Sequence, residues 1–242
     1  MLGFVLLGVG SGSTGLSDVF QNAFNFGSSN GTSIGSLQKK VTKQPQNATA
    51  WRDLATAYEQ KRRTSDAVNA LERYAALRPK DQNALSELAS QYSTLSQTYA
   101  ADYQTAQAQA AAASPGATFA PSSSTTFGKI FNDPSGLQDP IGAVISQQAQ
   151  QASQTALESY QGAQKSAETT LQKLAKLAPR DVGVQLQLGQ AAQQAGDYKA
   201  AVAAYTRFLK LSPNDVAAPQ VKQLLKQAKG LAASSAASST TG

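Results

Sequence analysis

Four prolines divide this chain at intervals that few folds can accommodate. Pro45 to Pro79 is 34 residues, Pro179 to Pro213 is again 34, and Pro79 to Pro179 is 100, one interval with 66 residues inserted. The stretches between them agree: RRTSDAVNALERYAALRPKD (62–81) and AGDYKAAVAAYTRFLKLSPND (195–215) both end on Pro, any residue, Asp, and APRD repeats that ending at Pro179 and Asp181. A fixed period of this length marks an array of like units, each burying an apolar face on its neighbours.

Within a unit the spacing is that of two helices. Trp51, Leu54, Ala55 and Tyr58 share one helical face, and Ala67 and Leu71 share another before Pro79 ends the run. The last unit repeats this with Leu188, Gly189, Ala201, Tyr205 and Pro213, but with Gln185 in the Trp position and Ala192 in the Tyr position, and Gly196 and Asp197 supply its turn. Small residues let the two helices approach, and the large apolar ones fill the space between them.

This Trp, Leu, small, Tyr, Ala, aromatic, Pro pattern at a period of 34 resembles the tetratricopeptide repeat family. The resemblance covers 33–92 and 160–230 and implies an all-α solenoid of helical hairpins. A half repeat with Ile34, Leu37 and Val41 precedes Pro45. A capping helix with Val221, Leu224, Leu225 and Ala228 follows Pro213, with Pro219 near its first turn. The tail 231–242 has little to bury and is expected to be disordered.

The middle repeat is split. Its first helix opens with Leu85, Leu88, Ala89 and Tyr92 but continues to about Ala113, and its second, in register at Ala167, Leu171 and Leu174, begins near Asp139 and Pro140. Helices of roughly 32 and 38 residues would rise about 48 and 57 Å. Leu88, Tyr92, Leu95, Tyr99 and Ala106 on one, and Ile145, Ala149, Ala152, Ala156, Tyr160 and Ala163 on the other, form an apolar seam, so 93–159 reads as an inserted helical hairpin, the alternative being that its Ala- and Gln-rich parts form a flexible loop. Its tip, 114–139, is rich in Pro, Gly and Ser. Phe119, Phe127, Ile130 and Phe131 within it either fold back over the seam or, chiefly through Phe127, Ile130 and Phe131, meet a partner or lipid surface.

Residues 1–32 are set apart. The run MLGFVLLGVG is too short to span a bilayer and has no basic segment before it. It is either an apolar N-terminus or the remnant of a membrane anchor, with Gly10 to Gly15 as a linker. In the anchored reading the repeats lie outside the cytoplasm; in the other the chain is cytoplasmic. LSDVFQNAFNF (16–26) has amphipathic spacing and either lies on the membrane or docks on the first repeat.

Composition narrows the chemistry. There is no Cys and no His, which excludes thiolate and imidazole catalysis, disulfides and the common zinc sites. Charged residues are 15% and the net charge of +6 is dispersed, with no basic stripe and no interleaved aromatics, so no nucleic-acid partner is expected. The Asp and Glu residues sit on helix surfaces or, at Asp81, Asp181 and Asp215, between helices. GVGSGSTG precedes no strand and helix pair, and neither a cofactor nor a metal nor an enzyme activity is expected.

The family resemblance implies protein or peptide binding in a concave groove lined by the first helix of each repeat. Carried over by position, the groove comprises Arg52, Thr56, Glu59 and Gln60, then Asn83, Ser86 and Ser90, then Leu186, Gln190 and Gln193. Arg52 is its one cation, which fits a polar peptide better than a carboxylate clamp of several basic residues. The expectation is a membrane-tethered interaction scaffold, bacterial in its Ala-rich style. A structural spacer acting through the hairpin and an accessory subunit of an enzyme complex are the alternatives.

Overall fold

A computed structural model describes residues 33–112 and 140–238, together with Thr126. The N-terminal segment 1–32, most of the hairpin tip, including Phe127, Ile130 and Phe131, and the last four residues lie outside the described residues. Eight helices follow in order: α1 (Ile34–Lys43), α2 (Ala48–Gln60), α3 (Thr64–Leu77), α4 (Gln82–Ala112), α5 (Pro140–Leu177), α6 (Val182–Gln194), α7 (Tyr198–Leu211) and α8 (Ala218–Ser238). Each packs on the next in sequence. That serial contact is how a solenoid forms from units that cannot bury their apolar faces alone.

The helix starts repeat as faithfully as the prolines. Asn47, Asp81 and Asp181 occupy the same position of successive repeats, and each side chain accepts from a backbone N–H of the following first helix, at Ala50, Ala84 and Val184. Such caps satisfy N–H groups that have no carbonyl partner within the helix. Gln185, in the position of Trp51, reaches the equivalent carbonyl with a longer contact. Trp51 Nε1 donates to the Pro45 carbonyl at 2.8 Å, and Gln185 Nε2 reaches the equivalent Pro179 carbonyl at 3.5 Å. Both tie a first helix to the turn before it.

The core follows the register. Leu54, Leu88 and Leu188 are equivalent and all buried, as are Ala67, Ala167 and Ala201. One pair of positions trades volume: Ala55 and Leu71 in the first repeat become Gly189 and Tyr205 in the last. A Cβ built on Gly189 would lie 2.3 Å from Tyr205 Cε1, so the glycine is what admits the ring. The turns differ more. Gly196 has φ 77°, and its counterpart Arg62 adopts φ 55°, a left-handed conformation that costs a non-glycine residue energy.

The helices α4 and α5 run beyond the stack and pack along one another. Ala106 of α4 and Ala149, Ala156 and Ala163 of α5 are buried there, seven residues apart on α5. Two residues expected in the seam are outside it. Ile145 is 47% exposed and Ala152 is exposed, while Ser146 and Ser153 are half-buried in their place. The seam keeps a 3.5-residue period and accepts serine to do so, because small side chains allow close approach whether or not they are apolar.

Candidate binding groove

The proposed groove is carried by α2, the first part of α4, and α6. Thr56, Ser90 and Gln190 occupy one register position of the three repeats and all are exposed, and Gln60, Asn83 and Ser86 are exposed beside them. This gives a row of uncharged hydrogen-bonding groups along successive first helices. Leu186 is half-buried against the core of the last repeat.

Arg52 is not the free cation the sequence implied. Its guanidinium pairs with Glu87 of α4 at 2.5 Å and lies 5.9 Å from the centre of the Tyr74 ring, while its Nη1 is buried with no hydrogen-bond partner. Glu59 accepts from Gln91 Nε2 at 3.0 Å. These two contacts join the first helices of neighbouring repeats side by side. Burial, together with the nearby Glu87 carboxylate, raises the Glu59 carboxyl above its ordinary range, and Arg52 opposes that rise. Gln193 is also occupied, accepting from the Tyr205 hydroxyl at 3.0 Å. Arg52, Glu59 and Gln193 are therefore partly exposed but already engaged by neighbouring side chains.

Three residues that sequence reasoning passed over, Glu87, Gln91 and Tyr74, complete this network together with Asp81. Glu87 and Gln91 are the α4 partners, and the Tyr74 hydroxyl donates to Asp81 at 2.6 Å beneath Arg52. That bond and the Ala84 N–H hold the Asp81 carboxyl below its usual range. Arg52 and Glu87 are 35 residues apart and Glu59 and Gln91 are 32 apart, each close to one period. Farther along, Glu168 is fully buried on α5, accepting from Lys165 Nζ at 2.8 Å and Gln172 Nε2 at 2.6 Å. Lys165 Nζ also lies 3.9 Å from Asp197, the cap of α7, and so links the middle repeat to the last. No group of His, Cys, Asp and Glu suited to a metal occurs among the described residues.

Comparison with known proteins agrees with this architecture at its most regular point. Residues 183–215 match the tetratricopeptide repeat family model. The described residues are all-helical, and the last hairpin carries the tetratricopeptide repeat pattern directly. No curated protein is similar to it in sequence. Among solved structures, one similar chain comes from the crystal structure of the APC/C hetero-tetramer Cut9-Hcn1, at 16% identity over 81% of this chain with a TM-score of 0.25, a value too low to argue from. The present chain spans 39% of the length of that one.

Proposed function

We propose that the protein is a non-catalytic scaffold that holds a polar polypeptide segment against the first helices of its repeats. The observation that carries this is the exposed row Thr56, Ser90 and Gln190: one register position, three repeats, no charge. Hydroxyls and amides spaced along a stack can hydrogen-bond an extended backbone without demanding a charged partner. The Arg52–Glu87 and Glu59–Gln91 contacts hold α2 and α4 together, so that row is set before a partner arrives. Substituting Thr56, Ser90 and Gln190 together by Arg leaves the core untouched and obstructs the row. Partner retention on an affinity column should fall severalfold with the circular dichroism unchanged, and undiminished retention would remove the groove from the account.

Tethering of this scaffold to a membrane is part of the proposal and rests on the apolar run MLGFVLLGV, which lies outside the described residues. Among the described residues no helix is long and apolar enough to cross a membrane. A second reading, contact through the hairpin, is favoured by Val144 and Ile145 near the start of α5, which are 62% and 47% exposed.

A further inference from the structure

The 34-residue period continues upstream of α1. One period before α2 (48–60) lies 14–26, TGLSDVFQNAFNF, and its residues agree with those of the first helices position by position. Ser13 stands where Asn47, Asp81 and Asp181 cap α2, α4 and α6, and serine is a cap residue too. Leu16 falls at the position of the buried Ala50, Ala84 and Val184, Phe20 at that of the buried Leu54, Leu88 and Leu188, and Phe24 at that of the buried Tyr58, Tyr92 and Ala192. Gly15 matches Gly183, and GSSNG (27–31) places turn residues where the chain turns between α2 and α3. Two positions depart: Gln21 replaces Ala55, Ala89 and Gly189, and Phe26 replaces Gln60.

The start of α1 is open where such a helix would lie. By the same register α1 is a second helix, with Leu37 and Val41 in the positions of Leu71 and Ala75 and buried in the core of the first repeat. Its first turn is less covered. Ser33 is exposed and Ile34 half-buried, whereas Ala67 and Val68 in the same positions of α3 are 0% and 3% exposed. Ala167 and Ala201 repeat the burial of Ala67. That open turn is also the point at which the N-terminal segment joins the stack.

We propose that residues 14–26 form a first helix that docks on α1 and α2, completing a repeat ahead of the first, with Phe20 and Phe24 turned toward α1. A unit at the end of a solenoid covers its apolar face only through its neighbour, and α1 is the neighbour in register. The larger Gln21 sets this pair of helices farther apart than the later ones. The one charge of the segment is Asp18, which gives it no attraction to an anionic lipid surface. Asn22 then adds a fourth uncharged hydrogen-bonding residue to the row of Thr56, Ser90 and Gln190. That extension rests on the groove reading above; the docking does not.

Hydrogen exchange of the full chain, read by mass spectrometry with no partner present, tests the docking. Amides of 17–26 should exchange at least about tenfold more slowly than those of an unstructured chain. Phe20→Asp combined with Phe24→Asp should abolish that protection and speed exchange in α1, with α6 and α7 unchanged as the sign of an intact stack; the alanine pair should act in the same direction. Asn22→Asp combined with Asn25→Asp adds the same charge at the positions of the exposed Thr56 and the partly exposed Glu59, and should keep the protection. Exchange of 17–26 at the unstructured rate would overturn the proposal. So would protection that survives both Phe→Asp changes, that appears only with vesicles of phosphatidylcholine and phosphatidylglycerol, or that rises with protein concentration, the last marking a second copy.

Discussion

At the scale of single residues, the fold depends on a few positions where one atom decides. Gly189 faces the Tyr205 ring so closely that Gly189→Ala forces the ring or the helix to move, which should lower the unfolding free energy by about 1–3 kcal/mol. Pairing it with Tyr205→Leu recreates the Ala55 and Leu71 combination of the first repeat and should recover part of the loss; urea titration reads both. Arg62 offers the opposite case. Arg62→Gly relieves a left-handed backbone and should raise stability by about 1 kcal/mol, whereas Gly196→Ala at the equivalent turn should lower it by a similar amount. Arg52→Ala removes one of the two contacts between α2 and α4 and leaves Glu87 and Glu59 without that cation. Because the pair is partly exposed, the expected loss is about 1 kcal/mol, detectable as a lower midpoint in urea.

Tyr205 also makes stability depend on pH. Burial pushes its hydroxyl up to about 12, above the value of about 10 expected for an unfolded tyrosine. A raised acid favours the neutral, folded form, so its contribution is complete below about pH 10 and is lost as pH rises toward 12. Tyr92, raised by burial and its bond to Glu72, acts in the same direction. Urea midpoints measured upward from pH 9 should therefore fall, and Tyr205→Phe should make that decline shallower. An identical slope in the variant would mean that Tyr205 is not the group responsible.

At the scale of elements, the sequence was legible wherever geometry repeats and opaque wherever a side chain has two uses. The repeat register was legible because Leu54, Leu88 and Leu188 must each fill the same space, and because proline stops a helix for a local reason that needs no tertiary information. The candidate site residues were less legible. Thr56, Ser90 and Gln190 share a register position and are exposed, but register could not tell that Arg52, Glu59 and Gln193 contact other side chains of the chain. A charged residue on a helix face reads the same in sequence whether it meets water or a carboxylate one repeat away. Ser146 and Ser153 were missed in the seam because a polar residue small enough to sit between two helices is indistinguishable by composition from one in solvent.

At the scale of the whole molecule, the stack and its insertion share two helices. Removing Leu95 to Tyr160, the 66 residues by which the middle interval exceeds the others, joins Thr94 to Gln161 in register. Gly162 then falls at the turn position held by Arg62 and Gly196, and no side chain contact depends on it where it now sits in α5. The shortened chain should unfold in one cooperative transition by circular dichroism. Broad, non-cooperative melting would mean that the packing of α4 on α5 is needed to hold the repeats together.

Site-specific photocrosslinking reads directly whether the first-helix face meets the partner. A benzoylphenylalanine placed at Ser90, in the middle of the exposed row, is compared in the native cell with the same probe at Gln220, an exposed position of α8. The account predicts a discrete heavier adduct from Ser90 that disappears when Thr56 and Gln190 are both changed to Arg. An adduct at Ser90 that persists in that background, or no adduct at Ser90 in cells where the protein co-purifies with a partner, would contradict it.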